Sequence, residues 1–141
     1  MIGLHISIRG NQPVEEKLKR GQTFATILKP AMKDAVLYVH SQVPPYPPAP
    51  ATSTYSRTGT LGRSVTSLAG MAPGALSDVN PLSGGVIGVV GTNVKYAGYV
   101  IDRNRQAHMH KGRWWVLQDV VEKAKPGIKK ILQKAVNELL K

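Results

Sequence analysis

Ile2, Leu4, Ile6 and Ile8 alternate with Gly3, His5, Ser7 and Arg9 at the start of the chain. A period of two with branched aliphatic residues on one side predicts a half-buried strand over 2–9. His5 then falls on the more polar face, where a surface or edge histidine is expected rather than a ligand. After Gly10-Asn11-Gln12, Pro13 suits the first turn of a short helix over 14–20, ending near Gly21. From Thr23 the period changes. Phe24, Ile27, Leu28, Ala31, Ala35, Tyr38 and Val39 recur at helical spacing and predict a helix over 23–42, opened by Thr23 or Gln22. Pro30 costs that helix a backbone bond, so the expectation is a bent helix or a fresh start at Pro30. His40, one turn from the end, is expected to meet the helix dipole rather than a metal.

The periodicity stops at Val43. Five prolines between residues 44 and 50 exclude helix and central strand, and predict an extended polyproline-like arm. Such an arm serves as a surface loop, as a ligand for an aromatic groove, or as a strap on a neighbouring subunit. Arg57-Thr58-Gly59-Thr60-Leu61-Gly62-Arg63-Ser64-Val65 follows, with two arginines, two glycines and three hydroxyls in nine residues. It reads as a turn opening a strand over 61–68, or as a recognition element held out on a loop. Gly62 and Arg63 break the alternation of that strand. Residues 70–83 read as a loose loop punctuated by Pro73-Gly74 and Asn80-Pro81. Gly84–Gly91 reads as a second strand, forming a long-looped hairpin with the first. Its glycines fit neither a dinucleotide fingerprint nor a Walker motif.

Beyond it, Asn93 is positioned to cap a short helix carrying Tyr96, Tyr99 and Val100. A polar, basic segment over 102–112 ends at Trp114-Trp115. Val116–Lys123 reads as helical, and Pro126 starts a final helix to Leu140. Its apolar stripe runs through Ile128, Ile131, Leu132, Ala135, Val136, Leu139 and Leu140; Lys125, Lys129, Lys130 and Lys134 gather on the remaining face. The elements together predict a single α+β domain over 1–141. A small antiparallel sheet packs against a long helix and a C-terminal helix, with long Pro/Gly-rich loops and a flexible arm about 44–60.

Composition narrows the chemistry. The absence of cysteine excludes a disulfide framework, a thiolate metal site and a cysteine nucleophile. No apolar run approaches the roughly 20 residues of a membrane span, and the N-terminus lacks the pattern of a secretion signal. The net charge is +11, distributed unevenly. Residues 1–43 carry six basic and three acidic side chains, 44–100 three and one, and 101–141 ten and four. The basic C-terminal region suits an anionic partner, either nucleic acid or an acidic protein surface, with Arg103, Arg105, Lys111, Arg113, Lys129 and Lys130 as candidate contacts.

Three features stand in a fixed order. A helix ends at Val43-Pro44, Arg57–Val65 opens the next element, and Gly91-Thr92-Asn93 leads through Tyr96-Ala97 to Tyr99-Val100. This order resembles the HK97 gp10-like family of tailed-phage proteins, in which an Arg-Thr-Gly-x-Leu-x-x-Ser motif follows a proline-terminated helix and precedes a Tyr-Ala-x-x-Val segment. The resemblance covers roughly residues 23–140. It departs where Ile101 takes an acidic position, where Arg103-Asn104 replaces Gly-Thr, and in the longer proline arm. It implies a small head–tail connector or tail-completion subunit of the virion neck, without cofactor or membrane. Such a subunit is assembled in the host cytoplasm into a ring beside connector, adaptor, tail-terminator or tail-tube proteins, with DNA passing through. A ring needs one surface patch to meet a different patch of the next copy. The candidates are Arg57, Thr58, Gly59, Leu61 and Arg63 with the arm residues Pro45, Tyr46 and Pro47.

Two other classes compete. A stand-alone nucleic-acid-binding module would use the basic residues for phosphate and Tyr96, Tyr99, Trp114 and Trp115 for stacking, although these aromatics are expected to fill a core poor in large side chains. For an enzyme the candidates are His108 and His110, as two zinc ligands on an extended segment or as part of a toxin-type ribonuclease. The eight acidic residues are scattered, which gives paired-carboxylate catalysis no visible basis.

Overall fold

The computed structural model describes residues 2–9, 24–45, 47–48, 51–52, 59–65, 73–82 and 85–139. Three strands, β1 (Ile2–Arg9), β2 (Ala75–Leu82) and β3 (Gly85–Thr92), form an antiparallel sheet in the order β1-β3-β2. Ile6 and Val79 both lie opposite Gly88 at its centre. In β1, half-buried Ile6 stands between exposed His5 and Ser7 as its sequence predicts, and β3 agrees with the glycine-softened strand to within one residue.

The helices are α1 (Phe24–Gln42), α2 (Thr60–Val65), α3 (Ala97–Ile101) and α4 (Leu117–Leu139), with a 3₁₀ turn at His108–His110. α1 lies across one sheet face and against α4. Leu28, Met32, Ala35, Val36 and Val39 of α1 meet Val86 and Val90 of β3 and Val121, Ala124 and Ile128 of α4 in the main core. The arrangement is α+β, with a small sheet against a long helix and a C-terminal helix. Gly88 is required where α1 crosses β3: a Cβ there would stand 2.7 Å from Val36 Cγ2 and 2.8 Å from Met32 Sδ.

Several expectations are corrected. The segment opening at Thr60 is a helix, not a strand. Leu61, Ser64 and Val65 are all buried, at i, i+3 and i+4, so the broken alternation is a helical stripe. Residues 75–82 of the supposed loose loop form β2, and the hairpin joins β2 to β3. Pro81 is tolerated because β2 is an edge strand. Pro30 and Pro126 both lie inside continuous helices; each is exposed, and the lost bond is confined to one carbonyl one turn earlier. Asn93 does not cap α3. Tyr96 takes the cap position without a side-chain bond, while Thr92 Oγ1 accepts the Val94 N–H at 3.1 Å. Tyr96 and Tyr99 are exposed rather than core residues, and Trp114 and Trp115 are half-buried. The helix expected over 14–20 lies outside the described residues.

Candidate assembly surface

The end of α1, the whole of α2 and the run from Thr92 to Ile101 converge on a second core. Leu61 and Val65 pack with Ala97, Val100, Ile101 and Leu117, flanked by Val43, Val94, Trp114 and Trp115. Polar bonds join the three segments. His40 Nδ1 lies 2.7 Å from the Val65 carbonyl oxygen. A carbonyl only accepts, so Nδ1 carries the proton of the neutral ring. Ser64 Oγ donates to the Leu61 carbonyl at 2.7 Å and lies 2.7 Å from Thr92 Oγ1. With the serine proton committed, the Thr92 hydroxyl donates to Ser64 while accepting from Val94 N–H, and a chain of buried hydrogen bonds ties α2 to the end of β3.

His40 is the residue that sequence reasoning misjudged. It is 2% exposed, and its Nε2 has no hydrogen-bond partner among the described residues. Burial pushes its pKa below the ordinary 6.5, opposed by the bond to Val65. The available signal was its spacing: His40 stands four residues after Val36, on the buried face of α1.

The proposed interface residues divide. Gly59 adopts a positive φ of 74° and its carbonyl accepts the Arg63 N–H at 3.1 Å, so it sets the entry to α2. Leu61 is 3% exposed and belongs to the core, which removes it as a contact residue and makes it the anchor of α2. Arg63 points outward and is exposed. Pro45 is exposed and Pro47 half-buried; the Arg113 guanidinium donates from Nη2 to the Pro48 carbonyl at 3.3 Å, tethering the arm. Arg57, Thr58 and Tyr46 lie outside the described residues.

The basic candidates also divide. Arg103 pairs with Asp119 and Glu122 of α4; the hydrogen bond to Asp119, reinforced by both carboxylate charges, pushes its pKa above the usual value. Arg105 pairs with Asp102 at 2.9 Å, and its guanidinium lies over Gly98, where a Cβ would approach within 3.0 Å. The Asn104 backbone N–H, with further bonds from Arg105 and Gln118, holds the Asp102 carboxyl below its ordinary pKa against some desolvation. Arg103 and Arg105 thus brace the loop between α3 and α4. Lys111, Arg113, Lys129 and Lys130 are exposed. His108 and His110 lie in a 3₁₀ turn, where residues two apart point in different directions, and not on the extended segment that would let both bind one zinc. The His110 ring instead meets Trp114 edge-on, with centroids 6.3 Å apart. Among the described residues no three His, Cys, Asp or Glu side chains cluster as a metal site, and no helix is long and apolar enough to cross a membrane.

Comparison with protein-family models, curated proteins and solved structures finds no match to this chain.

Proposed function

We propose that this chain is a non-enzymatic structural subunit of a tailed-phage or prophage neck, a tail-completion or head–tail joining protein that acts by ring assembly in the virion. One observation carries the reading. The three stretches of the family resemblance, far apart in sequence, are tied together by the His40–Val65 and Ser64–Thr92 bonds around a shared core. In that arrangement Leu61 and Ser64 of the Arg-Thr-Gly-x-Leu-x-x-Ser motif do internal work, and Arg63 is turned outward. A core-anchored elbow that presents an arginine, in a chain that also exposes Pro45 and Pro48, suits a heterologous contact with the next copy. Its neighbours would be connector or adaptor proteins on one side and tail-terminator or tail-tube proteins on the other.

A second reading, a basic nucleic-acid-binding module, is favoured by α4 itself. Lys123, Lys125, Lys129, Lys130 and Lys134 follow one another without an intervening acid. Electron microscopy of the purified chain tests the first reading: closed rings of uniform diameter are expected. A monomer at every concentration, together with tight binding of mixed-sequence duplex DNA that falls steeply with salt, would favour the second instead.

A further inference from the structure

The two edges of the sheet are built differently. On β2 the Val79 N–H is taken by the Asp78 carboxylate at 2.8 Å, so it points away from β3. The Asn80 amide holds the other Asp78 oxygen at 3.0 Å. Pro81, two residues on and therefore on the same side, has no N–H at all. That edge is closed to a further strand, in the way natural sheets blunt an edge. β1, the opposite edge, carries neither device at its centre, and no described strand pairs with its outer side.

A groove of about 610 Å³ runs between the centre of β1 and α4. His5, Ile6 and Ser7 all line it. Alternate residues of a strand face opposite sides of the sheet, so three consecutive lining residues mean that the groove borders the backbone edge itself. Its apolar floor is Ile6 with Val121, Ile128, Leu132 and Val136, while Lys125 and Lys129 stand exposed at its rim. No acidic side chain is among its described lining residues. From Val121 to Val136 the helix rises about 22 Å at 1.5 Å per residue, the length of about six or seven extended residues.

We infer that the outer edge of β1 is a strand-addition site for an extended segment of a different protein, one that alternates aliphatic and acidic residues. Backbone groups of the incoming strand pair with the outward-pointing N–H and C=O groups of β1; its aliphatic side chains enter the groove and its carboxylates meet Lys125 and Lys129. A second copy of this chain is a poor occupant. Its net charge is +11, and β2, the described strand with a carboxylate, keeps Asp78 tied to Val79 and Asn80. No residue of α2 and no described residue of the proline arm lines the groove, so it stands apart from the ring contact.

Hydrogen exchange on the full chain, with a short peptide of alternating valine and glutamate as probe, tests this. Ile6, opposite Gly88, turns its backbone groups toward β3, so the peptide is expected to slow amide exchange at His5 and Ser7, whose N–H groups point outward. The double variant K125E/K129E should bind it at least about tenfold more weakly, while K130E/K134E, which removes as much charge elsewhere on α4, should bind it like the parent. Protection at residues 77–81 instead, or none at millimolar peptide, would overturn the site. Equal losses in both double variants, or equal binding of a valine–lysine peptide, would also overturn it. So would protection along residues 125–134 by mixed-sequence duplex DNA with none from the peptide.

Discussion

His40 shows how one side chain can connect a distant motif to the core and make stability depend on pH. Because burial lowers its folded pKa below the ordinary 6.5, both states are neutral above that value and the full stability is present there. As pH falls through 6.5, the unfolded chain binds a proton that the folded chain resists, so stability declines until pH passes below the folded pKa. Denaturant titrations across this window should show the decline in the parent and its absence in a His40→Leu variant. That variant should also start lower, by about 1–3 kcal/mol from the orphaned Val65 carbonyl; an equal slope in both would contradict the assignment. Asp78 and Asp102, whose pKa values are lowered from 3.8, act in a separate and more acidic window. Ser64 makes a related case. Ser64→Ala should cost about 1 kcal/mol, and a double-mutant cycle with Thr92→Val should give a coupling of about 0.5–3 kcal/mol. Additive effects would mean that the hydroxyl chain carries no shared energy.

At the level of elements, what sequence reveals depends on how much of the stabilising surface is local. β1 and α1 each carry their own period and β3 is an apolar run softened by glycines, and all three were legible. α2 was not: six residues hold too little pattern to separate a helix from a distorted strand, and its helicity depends on Leu61 and Val65 finding α3 and the start of α4. β2 was hidden for a different reason, since Asn80-Pro81 is ordinary turn chemistry and only an edge position tolerates it. Of the candidate site residues, the outward direction of Arg63 follows once α2 is known to be helical; the burial of Leu61 follows from the same fact. The pairing of Arg103 with Asp119 and Glu122 is long-range and leaves no local trace. The crossing of α1 over β3 offers a direct check. Gly88→Ala forces a Cβ against Val36 and Met32 and should destabilise by about 1–3 kcal/mol. Gly112→Asn, at a positive φ of 76° with nothing within 4 Å, should change stability much less. Thermal melts of the two variants compare them directly, and equal losses would show that the crossing is looser than described.

For the molecule as a whole, the proposed neck role assigns assembly and folding to opposite sides of one short helix. α2 buries Leu61, Ser64 and Val65 inward and turns Arg63 outward, and the Arg113 guanidinium donates to the Pro48 carbonyl of the arm that precedes it. The outer β1 edge and its lysine rim lie on different elements, against α4, so on that proposal a like neighbour and an unlike one would meet separate surfaces. Light scattering coupled to size-exclusion chromatography, run on the parent and on Arg63→Ala and Leu61→Ala with thermal melts alongside, tests the division of labour most directly. The parent should run as a closed oligomer. Arg63→Ala should fall to smaller species with a much smaller loss of stability than Leu61→Ala, which should lose about 2–5 kcal/mol. A parent that stays monomeric throughout, or an Arg63→Ala variant that keeps its oligomeric mass but loses thermal stability, would contradict the account.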